Sequence, residues 1–256
     1  MKDLLLLFCR YTYLPIPEKY RHNESRLPMA LRYLPLLGLI CGIILFFCAR
    51  LFLLLPAGAA AAALLALNLL LGGGLFLQDL MTVADDFSRS TPPANSGLQL
   101  LQPELAVMET ENSFRYGKRA ILWGMVWLCA MYVAYLLLFR RQNMGFMPLV
   151  AAMIFSRWIM AWLIFGFPAA QPGWLHKGFT KRDFVFCSGL TLLILLPMSS
   201  LSLFMSLLTG MLGVYIFIGQ RRNITRELDE FCYGVGVAWS ELLFLLGWLL
   251  FGSIIV

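Results

Sequence analysis

The chain reads as an all-α, polytopic membrane protein of about seven transmembrane helices, on three observations. Sixty per cent of its 256 residues are hydrophobic against 13% charged, and the mean hydropathy is +0.77. A soluble domain of this length cannot hide so much apolar surface. Apolar runs long enough to cross a bilayer recur near 33–55, 57–78, 119–139, 144–166, 184–198, 200–219 and 232–255. The basic residues then alternate between loops. With the N-terminus cytoplasmic, sixteen Lys and Arg fall on that side, three (Arg50, Arg140 and Arg141) on the other, and Arg157 lies within a run.

The elements follow in order. Leu4 to Phe8 is too short for the apolar region of a signal peptide, and Arg10 and Tyr11 follow it with no small-residue cleavage site. A short amphipathic helix on the membrane surface is expected instead. The second run ends at Gly72-Gly73-Gly74 and an acidic cluster. The long loop beyond it, 87–118, begins with the turn residues Thr91 to Gly97, and Leu98 to Met108 predicts a surface helix interrupted by Pro103. Loops of this length are functional or disordered, and its charged flanks favour function. The fifth and sixth runs are the least distinct, because Pro197-Met198-Ser199-Ser200 reads as a turn or as a kink. A kink gives six helices, but the basic loops 177–182 and 221–226 then lose their common side, so seven is the expectation. Residues 1–256 form one integral-membrane domain with a cytoplasmic loop at about 79–118.

Other classes fall away. The net charge of +6 is topology, not a nucleic-acid surface, because the cations are spread between apolar runs. The six cysteines show no CxxC spacing and stand mostly in apolar runs, and only His22 and His176 could join them, which argues against disulfides and structural zinc. Paired halves with matching broken helices, the mark of a transporter, are not evident.

Thirteen of the fourteen acidic residues map to the cytoplasmic loops or helix ends, the exception being Glu241 within the last run. Asp79, Asp85 and Asp86 lead the candidates. Positions 79 and 86 share a helical face, with 85 beside them. Carboxylates at a membrane surface suit Mg²⁺, which commonly uses one or two of them with water and substrate phosphates. A solvated helix end is the plainer reading. Arg157 and Glu241 lie at matched depths of about 12–14 Å within their runs, and buried charges need partners or a wet cavity. They read either as a structural ion pair or as the lining of a polar pocket, Arg157 facing a phosphate and Glu241 serving as orienter or base. Arg115, Lys118 and Arg119, like His176 to Arg182, offer either lipid-headgroup anchors or a diphosphate clamp. Arg226 to Glu230, opening the last run, complements the helix dipole or completes a metal site.

The order of these pieces resembles the cobalamin synthase family, the adenosylcobinamide-GDP ribazoletransferases. Phe8 to Pro17 is similar to that family's opening T-x-L-P-x-P segment, and Leu34 to Gly42 to its P-L-x-G-x-x-x-G. Residues 72–86 stand where the family carries G-x-H-x-D-G-x-x-D-x-x-D-G. In one register its aspartates fall on Gln78, Thr82 and Asp85, in the other on Asp79, Val83 and Asp86, and no histidine is present. Ser113 to Gly117 resembles D-S-R-x-G with Ser113 in place of the aspartate, Ser156-Arg157 matches S-R, and Glu241-Leu242 matches the closing E-L. Gly166 to Phe179 looks like the family's polar loop. The chain is identified as a divergent member.

The resemblance implies an Mg²⁺-dependent transfer of the adenosylcobinamide phosphate of adenosylcobinamide-GDP to α-ribazole or its 5′-phosphate, releasing GMP. It implies the metal on Asp79, Asp85 and Asp86, catalysis by Asp85, Asp86 and Glu241, and substrate contacts from Gln78, Thr82, Arg115, Lys118 and Arg157. The setting is the inner, cytoplasmic membrane with the active face cytoplasmic, and association with itself or with other corrinoid-pathway enzymes stays open. The thinned acidic motif leaves a second reading, a catalytically impaired corrinoid-binding or scaffolding relative.

Overall fold

A computed structural model describes residues 2–12, 27–86, 117–141, 145–167, 178–225 and 231–252. Every regular element among them is helical: α1 (Lys2–Tyr11), α2 (Leu27–Ala30), α3 (Leu34–Phe52), α4 (Ala57–Asn68), α5 (Gly74–Asp86), α6 (Lys118–Arg140), α7 (Met147–Gly166), α8 (Lys181–Leu195), α9 (Leu201–Thr225) and α10 (Phe231–Phe251). Local chemistry sets several boundaries. Pro35 and Pro148 stand in the first turns of α3 and α7, where no intrahelical N–H is needed. Thr180 and Asp183 form a capping box at the start of α8: the Asp183 N–H donates to Thr180 Oγ1 at 3.4 Å, and the Asp183 carboxylate accepts from the Thr180 N–H at 3.1 Å.

Helix α7 is the hub. It packs on α3, on α8 and on α10, and its side chains from Pro148 to Ile164 are almost all buried. The α3 contact is close because Gly38 and Gly42 face backbone atoms of Met153, Ile154 and Val150, with no room for a methyl group. Helix α10 packs on α5, α7 and α9. It is tied to α6 by the Trp127 indole N–H, which donates to the Ala238 carbonyl at 3.1 Å, and by Arg141, whose Nη1 donates to the Leu249 carbonyl at 2.6 Å. The outer faces of α6 and α9 expose Leu122, Met125, Phe204, Leu212 and Tyr215. A surface of that kind is intolerable in water and ordinary in lipid.

The expected order of apolar runs reappears as helices, with two differences. Five helices are long and apolar enough to cross a bilayer, and a sixth span results if α4 and α5 count as one broken crossing. The fifth run becomes α8, whose fifteen residues plus a 3₁₀ turn at Leu196–Met198 fall short of a full span. That turn, followed by Ser200 accepting the Leu203 N–H at 3.1 Å, separates α8 from α9, so 197–200 is a turn between helices. The second run, read as continuous over 57–78, is bent by 80° near Gly72. The N-terminal segment is helical as expected, with Leu6 and Leu7 buried. None of the six cysteines is in a disulfide. The long loop beyond Asp86, Arg115, His176 and Arg226 to Glu230 lie outside the described residues.

Candidate functional site

The site begins at the bend. The chain kinks within Leu69–Gly73, where Gly72 leaves the helical region at φ 120° and ψ −13°. Only glycine takes that conformation without strain. A methyl group on Gly72 would also overlap the carbonyl oxygen of Tyr11 at the end of α1. The glycine triplet therefore turns the chain and lets α1 seat on the turn, and α5 leaves in a new direction toward α10.

Between α1, α5 and α10 lies a cavity of about 400 Å³ lined by Arg10, Tyr11, Leu75, Phe76, Gln78, Asp79, Tyr233 and Gly234, together with Leu27, Met160 and Phe231. Asp79 rests on Gly234, where an added methyl group would overlap Oδ2. The charge of Arg10 acts on Asp79 across this space. The cavity thus sets one cation, one carboxylate, an amide and tyrosines around a hollow at one end of the bundle. Such a set suits a phosphate-bearing ligand.

Beneath it lies a buried polar cluster. The Asn68 amide donates from Nδ2 to Glu241 Oε1 at 2.7 Å and contacts Tyr135 Oη at 2.8 Å, and Tyr135 Oη donates to the same Glu241 oxygen at 3.4 Å. All three residues are buried, as is Arg157. The Arg157 guanidinium carbon stands 4.4 Å from the centre of the Phe76 ring, a cation–π contact. Arg157 and Glu241 act on each other electrostatically. No hydrogen bond joins them; Glu241 Oε1 accepts from Asn68 and Tyr135 instead.

The structure sorts the sequence candidates. Gln78 and Asp79 line the cavity. Thr82 sits one turn further along α5 and donates to the Gln78 carbonyl at 3.0 Å. Helix α5 runs on through positions 85 and 86, but the side chains of Asp85 and Asp86 lie outside the described residues. Lys118 is the exposed first residue of α6. Arg157 is separate from the cavity lining, in contact with Phe76, which belongs to it. Glu241 is seven residues beyond Gly234 along α10, about 10 Å deeper at the α-helical rise. Sequence reasoning gave no role to Arg10, Tyr11, Asn68, Tyr135 or Tyr233. Asn68 carried a usable signal as a lone amide in an apolar run.

The donor set bears on Mg²⁺. Among the described residues no three His, Cys, Asp or Glu side chains gather as a metal cage. Asp79, with the amide oxygen of Gln78 beside it on the cavity wall, instead fits the mode in which Mg²⁺ takes few protein ligands and keeps water and phosphate oxygens.

Comparison with known proteins supplies the remaining finding. A family model described as cobalamin-5-phosphate synthase matches residues 3–249. The adenosylcobinamide-GDP ribazoletransferase of Desulfitobacterium hafniense (strain Y51) is 28% identical over 267 aligned residues, covering 96% of each chain. That of Vibrio parahaemolyticus serotype O3:K6 is 25% identical over 254, covering 95% of this chain and 90% of the relative. No solved structure matches.

Proposed function

Because the chain belongs to the cobalamin-5-phosphate synthase family, we propose that it is an adenosylcobinamide-GDP ribazoletransferase of the inner membrane, working at the cytoplasmic face. The observation that carries this reading is Asp79 resting on Gly234, within reach of the charge of Arg10, around a 400 Å³ cavity. That arrangement has the chemistry of a diphosphate site.

In the reaction, the hydroxyl of α-ribazole or its 5′-phosphate attacks the cobinamide-side phosphorus of the diphosphate. A new P–O bond forms, the bond to the bridging oxygen breaks, and GMP leaves. Arg10 binds phosphate oxygens from α1, and Lys118, the first residue of α6, with Arg115 adds further cationic phosphate contacts; arginine suits two-point contact. Asp79, with Asp85 and Asp86 further along α5, would hold Mg²⁺ through carboxylate oxygens. Charge building on the leaving GMP is neutralised by that ion when it is bound. Asp85 or Asp86 takes the proton from the attacking hydroxyl. Gln78 and Thr82 orient the substrate on the same stretch of α5. Glu241, held by Asn68 and Tyr135, supports the wall behind them.

The test is GMP release by detergent-purified protein given adenosylcobinamide-GDP, α-ribazole 5′-phosphate and Mg²⁺, beside Asp79→Ala, Asp85→Ala and Asp86→Ala. Magnesium-dependent release that falls in the variants supports the reading; full turnover by all three removes the metal assignment. A second reading, a corrinoid-binding or scaffolding relative, draws on the single carboxylate among the described cavity residues. It predicts substrate binding with no GMP release.

A further inference from the structure

Phe76 is where the cavity and the buried cation meet. Its ring lines the cavity, stacks on Tyr11 at 6.4 Å and 15°, and touches the Arg157 guanidinium at 4.4 Å. Arg157 has no accessible surface, and none of its three side-chain nitrogens has a hydrogen-bond partner. A buried cation left so is costly, and a cation–π contact returns only part of that cost. The neighbouring carboxylate gives it no direct bond; Glu241 Oε1 accepts from Asn68 and Tyr135 instead. Gly72 packs close beside the guanidinium: a methyl group there would stand 3.3 Å from Nη2. Phe76 follows that glycine by one turn, just past the 80° bend.

We propose that Phe76 is a gate over an inner anion site, in which the planar fork of Arg157 receives a phosphate group of the substrate. The ring holds the guanidinium while the site is empty. Movement of α5 about Gly72 carries the ring aside, and phosphate oxygens replace its face with two-point hydrogen bonds. The inference rests on the transferase reading for the source of the phosphate, and it assigns the group that holds one end of the diphosphate while Asp79 and Arg10 hold the other.

Inorganic pyrophosphate, titrated without metal into the full chain in detergent, is the probe. Affinity is read by calorimetry and association rate by stopped flow, with helicity checked by circular dichroism. Arg157→Met should weaken binding about tenfold or more, with Arg157→Lys between it and the wild type, because an ammonium makes no two-point contact. Phe76→Ala should bind with a faster association rate. Asp79→Asn should bind as well as the wild type or better, because it removes a nearby negative charge. Wild-type affinity in a fully helical Arg157→Met, or an unchanged rate in Phe76→Ala, overturns the proposal; if Arg157→Met does not fold, the Phe76→Ala rate decides. An active enzyme with Arg157-independent pyrophosphate binding overturns the gate and leaves the transferase standing. An inactive enzyme with Arg157-dependent binding does the reverse.

Discussion

Gly234 lies so close under Asp79 that the smallest side chain would overlap its carboxylate oxygen. The two residues come from helices far apart in the chain, α10 and α5, which pack against each other along this face. A glycine on one helix thereby fixes the height at which the carboxylate of the other enters the cavity. Gly234→Ala should displace Asp79 without unfolding the bundle, at an overpacking cost of about 1–3 kcal/mol. Steady-state GMP release should show kcat falling about tenfold or more and a higher Mg²⁺ requirement, since small misplacements at a reacting centre are expensive. Wild-type kinetics in this variant would mean that the Asp79 position is not critical.

Gly72→Ala tests the bend itself. The residue sits at φ 120°, where a side chain is strained, and the added methyl group would overlap the Tyr11 carbonyl oxygen. The strain alone is worth about 1–3 kcal/mol. A lower melting temperature in detergent is expected, together with loss of activity, because α1 and its Arg10 would shift with Tyr11. Thermal unfolding followed by circular dichroism measures the first effect, and GMP release the second.

Asn68 is the keystone of the buried cluster, since its amide contacts both Glu241 and Tyr135. Asn68→Ala removes a donor from a buried carboxylate and should cost about 2–3 kcal/mol, within the range for hydrogen bonds to charged groups. Tyr135→Phe removes the 3.4 Å bond to Glu241 together with the 2.8 Å contact to Asn68, and should cost about 1–3 kcal/mol. The double variant should fall short of the sum, because both donors serve one oxygen. Strict additivity in a double-mutant cycle would show that the two donors act independently.

The helices were legible in the sequence because composition and apolar run length decide them, and the prolines at 35 and 148 mark two starts. The bend was not. Gly72 to Gly74 ends an apolar run in a way that a straight helix also permits, and only the contact with Tyr11, sixty-one positions earlier, reveals the turn. The cavity wall from α1 was hidden for the same reason: Arg10 and Tyr11 meet Asp79 and Phe76 through folding, not through spacing. Depth matching placed Arg157 and Glu241 at one level and did bring their charges within range. It missed the direct partners of Glu241, Asn68 and Tyr135, because matched depth singles out charges in an apolar run and says nothing of uncharged side chains on other helices. Both registers of the acidic motif keep a first position on the cavity wall, Gln78 in one and Asp79 in the other.

Arg10 should separate binding from chemistry. It stands on the cavity wall opposite in charge to Asp79 and is contributed by a short N-terminal helix. If it holds a phosphate that stays charged throughout the reaction, it binds ground state and transition state alike. Arg10→Ala should then raise KM for adenosylcobinamide-GDP about tenfold, the scale of a charge-assisted hydrogen bond, with kcat little changed. Arg10→Lys should recover part of that loss, because charge survives but the planar fork does not. Raising the salt concentration should weaken substrate binding in the wild type more than in Arg10→Ala, since the alanine variant has less electrostatic attraction left to screen. A fall in kcat with KM unchanged would place Arg10 on the transition state instead, and an equal salt response in both proteins would remove it from the phosphate site.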